Sequence, residues 1–344
     1  MMSPPSACRS LLVACVLLGL ARSGPLAFAA EGSSPRGLLL VANKQSRTLS
    51  VVDPSGGRQL AVIPEDGVTG HEVAASPDGM RAFVPLYGDS GVGRPGTDGR
   101  LIRVVDLRTH SIAGTIDLGR PTRPHKPVFG PKDGLLYVTT ELDRTVTVID
   151  PVTLRVVGSI PTGADQSHML AISSDGRTAY TANVGPGTVS VLDLVGRTLV
   201  GTIRVAPMVQ RISLSVDDRM AFTADQTALR IAVIDTATRT VTRSIPLPGL
   251  AFGTAPTPDG RWLLAAIPAL NLVAEIDLGT MRVVRTLEVP RSPQEILVQP
   301  GGAVAYVSCD QSGRVAAIDL ATWRVAKLIE AGSLADGLAW APAG

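Results

Sequence analysis

Residues 168–205 read HMLAISSDGRTAYTANVGPGTVSVLDLVGRTLVGTIRV. Four short runs stand out in this stretch: HMLAISS, TAYTAN, TVSVLDL and LVGTIRV. In each, apolar residues alternate with polar or small ones, the period of a half-buried strand. Asp175-Gly176 and Gly185-Pro186-Gly187 supply turn residues between them. The stretch therefore predicts four consecutive antiparallel strands.

The same unit recurs along the chain. An aspartate closes the third strand each time: Asp53, Asp106, Asp150, Asp193, Asp235, Asp277 and Asp319. The spacings are 53, 44, 43, 42, 42 and 42 residues. A second series marks the turn after the first strand: SPDG at 76–79, KDG at 132–134, SSDG at 173–176, SVDD at 215–218, TPDG at 257–260, QPGG at 299–302 and APAG at 341–344. Seven four-stranded units of about 42 residues predict an all-β, seven-bladed β-propeller. A β-sandwich or an open β-array fits so even a period less well. The last unit ends after its first strand, DGLAWAPAG, while the N-terminal GLLLVANKQSRTLSVVDP and QLAVIPE give strands two to four with no first strand before them. The N- and C-terminal strands are thus expected to share one blade, which closes the ring and removes free sheet edges.

The propeller is assigned to residues 38–344. Residues 1–29 read as a Sec signal peptide: Arg9, the apolar run 11–20, and an A-x-A cleavage site at Ala27-Phe28-Ala29. Residues 30–37 are a short linker. A lipoprotein box at Leu12-Val13-Ala14-Cys15 ranks second. The expected location is periplasmic or secreted, and no segment is long enough to span a membrane. Removing Arg9 and Arg22 from 32 basic side chains leaves 30, against 30 acidic. That balance argues against nucleic acid as a partner. With Cys8 and Cys15 gone, Cys309 is alone, best read as a buried small hydrophobe.

Leu40-Val41-Ala42-Asn43, Tyr137-Val138-Thr139-Thr140, Tyr180-Thr181-Ala182-Asn183 and Tyr306-Val307-Ser308-Cys309 resemble the tetrapeptide of the YVTN-repeat (YncE-like) β-propellers. TVSVLDL and VIDTATRTV are similar to the rest of that repeat. The resemblance covers about residues 38–344. It implies a seven-bladed propeller, commonly exported, and little about activity, because propellers host lactonases, metal oxidoreductases and plain scaffolds alike.

Residues that break the repeat are the candidates for function. The DG turns and the strand-three aspartates are regular, so their face reads as structural, and His110 lies in one of its turns. On the opposite face, seven residues open the inner strands: His71, His125, His168, Gln210, Phe252, Gln294 and Asp336. Six stand eight residues before the end of their turn, whereas His125 stands nine before Gly134. Strict counting puts Lys126 in its place, and a one-residue bulge restores the match. Glu72, Arg211 and Glu295 follow one position later. His71, His125 and His168 fall in consecutive units and are expected to gather at one mouth of the central channel. Neutral imidazole suits Zn, Cu, Fe or Ni and moves protons near neutral pH. The three histidines are therefore candidate metal ligands, and Glu72, Gln210, Arg211, Gln294, Glu295 and Asp336 candidate ligand-binding residues. The plain alternative is that each histidine caps its strand by bonding loop backbone.

A second break lies on the same face. From Phe83 to Asp106 is 23 residues, where the other six units have 13. The extra ten fall in YGDSGVGRPGTDGR, 87–100, a wall or lid for a site or else a disordered loop. Its G-x-G-x-x-G does not open a helix after a strand, so dinucleotide binding is rejected. Two functions compete. One is a mouth site for a metal or small molecule, with hydrolase or lactonase chemistry as one option. The other is a non-catalytic scaffold that docks another exported protein.

Overall fold

The computed structural model describes residues 36–343. The expected signal peptide and most of the expected linker lie outside that range, and the first strand begins at Gly37. The described chain forms seven four-stranded antiparallel sheets, with three single-turn 3₁₀ helices as the only helical elements among the described residues. Each sheet runs inner, second, third and outer strand in chain order, as Ser167–Ile172, Thr178–Asn183, Thr188–Asp193 and Thr198–Arg204 do in blade four. The exception is blade one, ordered Ala335–Pro342, Gly37–Asn43, Thr48–Asp53, Arg58–Pro64. Its C-terminal strand pairs antiparallel with the N-terminal one from Gly37 opposite Pro342 to Asn43 opposite Ala335. The ends of the chain close the ring as their unfinished units require.

The core is not central but divided among the blade junctions. Seven buried apolar clusters each join two neighbouring blades; one sets Phe83, Ile102 and Val104 of blade two against Leu136, Val138 and Ile149 of blade three. Phe83, Tyr137, Tyr180, Phe222 and Tyr306, which share one repeat position, are all buried. Each inner strand contacts the next around the whole ring.

The turn face is held by its own polar residues. Asp78 accepts the N–H of Met80, Ser76 bonds Asp78, and Gly79 takes φ 69°, the left-handed backbone this turn requires. The strand-three aspartates accept turn N–H groups in the same way, as Asp150 does from Val152 and Thr153. His110 is half-buried and takes the positive φ that Leu154, Arg197, Arg239, Met281 and Trp323 take at the matching place. It belongs to the repeat. Cys309 is fully buried, and burial pushes its thiol up to about 12. Among the described residues no helix is long and apolar enough to cross a membrane.

Candidate functional site

At the mouth opposite the DG turns, the inner strands of five blades enter through an irregular step in register. Ser167 faces Asn183 while Met169 faces Ala182, and Pro124 faces Thr140 while Pro127 faces Val138. One extra residue on the inner strand re-aims the side chains there, so that two consecutive residues both reach inward. This explains why His71 and Glu72, or His125 and Lys126, serve the same channel. It also settles the offset of His125. Counted from the mouth, Pro124 is equivalent to Ser167, and His125 to His168. No bulge special to this strand is needed, contrary to expectation: Phe129 pairs Leu136 and Ile172 pairs Ala179, so the two turns are equally long, and only the glycine stands one place later, where Gly134 bonds back to Gly130.

The three histidines come together. The ring of His125 stacks on that of His168 with centroids 3.5 Å apart and planes 27° apart. His71 meets His125 edge-on at 5.5 Å. Tyr87, fully buried, touches all three rings at 4.7, 5.1 and 5.6 Å. Its hydroxyl donates to Glu141 Oε2. Tyr87 and Glu141 stand just beyond the second strands of blades two and three, at matching places four residues after Phe83 and Tyr137. Glu141 also accepts from the Gly93 amide (3.1 Å) and Arg123 Nη1 (3.4 Å), and stands 3.8 Å from His168 Nδ1. Burial pushes Glu141 up, but His168 and Tyr87 outweigh it and hold it below the usual range. Burial holds His125 and His168 low and His71 down to about 3, so all three are neutral near pH 7.

Their arrangement does not suit a metal as it stands. The stacked His125 and His168 have nearly parallel planes, so their in-plane lone pairs do not converge on one centre. Among the described residues no group of three His, Cys, Asp or Glu side chains is set to hold one ion. His125 Nδ1 lies 3.2 Å from the His168 carbonyl, in part the strand-capping role.

The one-residue-later positions build a second layer within the channel. Arg211 Nη1 donates to Glu72 Oε1 (2.7 Å) and Glu295 Oε2 (3.1 Å), and its Nη2 to Asp336 Oδ1 (2.8 Å). Lys126 Nζ bridges Glu72 Oε2 (2.6 Å) and Glu295 Oε1 (2.8 Å), and Lys44 reaches Asp336 Oδ2 (3.1 Å). Burial alone would raise Asp336, yet Lys44 and Arg211 hold it at about 2, and Lys126 and Arg211 hold Glu295 low. Four of the expected ligand-binding residues are thus spent on one another. Gln294 turns to Ser292 Oγ (2.9 Å), and Gln210 accepts the Arg211 N–H (3.2 Å). Phe252 lies under the Arg211 guanidinium at 4.9 Å.

The 87–100 insertion is a wall tied down by the buried Arg123. That guanidinium bonds Asp98 (2.5 Å), the Arg94 carbonyl (2.6 Å) and Ser90 (3.3 Å). Between this wall and blade one lies a cleft of about 430 Å³, lined by Lys44, Arg47, Thr69, His71, Asp89 and Ser90. Of the three histidines only His71 opens onto it, and the His71 ring nitrogens make no hydrogen bond among the described residues. Replacing 89–99 with a short turn should leave Arg123 underpaired and cost about 1–3 kcal/mol. Urea unfolding measures this; an unchanged midpoint would return the insertion to a surface ornament.

Sequence reasoning missed Tyr87, Glu141, Arg123 and the pairing of Lys126. No family model matches the chain, and no curated protein matches it in sequence. Among solved structures it is similar to the Kuenenia stuttgartiensis hydrazine synthase, at 18% identity and a TM-score of 0.71 over 88% of this chain and 99% of that one. At that identity the likeness carries the propeller fold, and the chemistry of the mouth rests on this chain's own residues.

Proposed function

We propose that the chain is an exported, YVTN-like propeller that binds a small oxyanion, a carboxylate or phosphate group, in the cleft at its histidine mouth. The observation that carries this reading is His71. Its neutral ring has unpartnered nitrogens and opens onto a cleft that also presents Lys44 and Arg47. A neutral imidazole offers one N–H donor. Arg47 is exposed and spends only a 3.5 Å contact on the Gly67 carbonyl, so its guanidinium is available to an anion. The sequestered channel network favours this peripheral cleft over the channel itself, because its acids and bases already satisfy each other.

The test is calorimetric titration with inorganic phosphate and with citrate at low salt. His71→Ala and Arg47→Gln should each weaken binding on the order of tenfold, about 1.4 kcal/mol, and His110→Ala should not. No saturable binding, or equal binding by all variants, rejects the reading. The three-histidine metal site keeps one supporting observation: three neutral imidazoles lie within one cluster beside Glu141. It requires His125 to unstack from His168. Elemental analysis of the purified protein, with a stoichiometric metal lost in His168→Ala, would establish it in place of the anion cleft.

A further inference from the structure

Glu65 follows the outer strand of blade one, and its N–H bonds the Arg47 carbonyl. At the matching place the other blades carry Leu118, Thr162, Val205, Leu247, Val289 and Ala331, none of them ionisable. Glu65 is nonetheless 2% exposed. One carboxyl oxygen, Oε2, accepts the Gly70 N–H at 2.7 Å, while Oε1 is buried with no hydrogen-bond partner. Gly70 admits this approach because it has no side chain: a Cβ there would lie 2.6 Å from Val84 Cγ1 and 3.1 Å from Glu65 Oε1. The charged groups acting on Glu65 are Arg103, from the third strand of blade two, and Arg47, from the first hairpin of blade one. Neither bonds its carboxylate. Arg103 instead spends Nε on the Glu65 carbonyl (2.8 Å) and Nη2 on the Asp66 carbonyl (2.6 Å). The residue after Gly70 is His71, and Arg47 lines the same cleft.

We propose that Glu65 is a proton-responsive support of the cleft, whose ionised carboxylate holds the Gly70–His71 backbone and whose protonation at Oε1 relaxes it. The ionised group accepts a charge-assisted bond from Gly70, roughly twice as strong as the neutral one. Taking a proton from solvent halves that hold and removes the charge facing Arg47. Burial raises the Glu65 carboxyl to about 7, which places the change near neutral pH. Only the consequence for ligand binding rests on the oxyanion reading; the link from Glu65 to His71 does not.

The experiment follows the His71 resonance in protein carrying ¹³Cε1-labelled histidine from pH 5.5 to 9, with no ligand present. Held neutral by burial, His71 does not itself titrate there, so it reports its surroundings. Glu72, which burial pushes up against the pull of Arg211, is a neighbouring group that contributes separately. The expected result is an inflection near pH 7 that is absent in Glu65→Gln, with any inflection that remains in the variant belonging to Glu72. A flat wild-type resonance, or the same inflection in Glu65→Gln, overturns the proposal. If that variant does not fold, ¹³Cδ-glutamate labelling of the wild type must show a carboxyl with the His71 midpoint, and its absence overturns the proposal equally. Phosphate titration at pH 6 and pH 8.5 is then separate. Coupling without phosphate binding sinks the cleft reading alone, and binding without coupling sinks Glu65 alone.

Discussion

Deletion of residues 38–54 should abolish folding of the whole ring, with loss of the cooperative thermal transition and aggregation on expression. The segment holds the second and third strands of blade one, Gly37–Asn43 and Thr48–Asp53. Without them the C-terminal strand Ala335–Pro342 has no partner in its own sheet, and the outer strand Arg58–Pro64 has none either. The deletion also removes Leu39, Leu40, Val41, Leu49, Val51 and Val52, all buried. At about 1.5–3 kcal/mol for each buried aliphatic side chain, the loss is on the order of 10 kcal/mol. That equals the whole stability of a typical domain, about 5–15 kcal/mol. Two junction cores are opened at once, one toward blade two and one toward blade seven. The measurement is circular dichroism through a thermal scan. A deletion protein that melts cooperatively at the wild-type temperature would show that blade one does not close the ring.

Most of the ring was readable because its determinants are local. Alternation along strands such as Thr188–Asp193 and the Asp and Gly of each turn act within a few residues, and repetition seven times made them unmistakable. The internal comparison also found the histidine heads, since His71, His125 and His168 stand out against the four other units, which carry Gln210, Phe252, Gln294 and Asp336 there. It failed where no standard existed. Tyr87 shares the repeat position of Glu141 but opens an insertion that only one blade has, so it reads as part of a loop. Glu141 lies one residue beyond the second strand, where the other blades carry residues as different as Lys44, Val184, Gln226, Pro268 and Asp310, and variability hides an outlier. Glu65 was visible as an acid among neutral residues, but it follows the outer strand, a place not compared. The destination of a side chain was the other blind spot. The heads of the inner strands were legible as positions, yet nothing in the sequence tells that Gln294 turns to Ser292 or that Arg211 spends itself on three carboxylates from three other blades. Those choices depend on register steps at the mouth and on distances across the channel.

Arg211→Met should be among the most damaging single substitutions in the protein, costing about 3–5 kcal/mol, the range for breaking a buried ion pair from one side. Arg211 is 5% exposed and bonds Glu72 of blade two, Glu295 of blade seven and Asp336 of blade one. Methionine fills much of the volume and keeps the contact with Phe252, so the loss is mainly one of charge. It leaves Glu72, Glu295 and Asp336 with only Lys126 and Lys44, three acids against two cations in a desolvated channel. The acids cannot shed this cost equally. Asp336 has its pKa depressed to about 2, so it contributes stability that is present above the usual aspartate value and is lost only as pH falls through the folded one. Removing Arg211 raises that folded value, so the variant should lose acid resistance as well: its midpoint of acid unfolding should move to higher pH. Arg100→Met provides the comparison. Arg100 pairs Asp117 at 3.0 Å with both side chains about half exposed, and an exposed pair contributes at most about 1 kcal/mol. Urea denaturation of the two variants, at pH 7 and again at pH 4, separates the cases. If Arg211→Met and Arg100→Met unfold at the same urea concentration, the channel network does not bind the blades together, and its charges are free to serve a ligand after all.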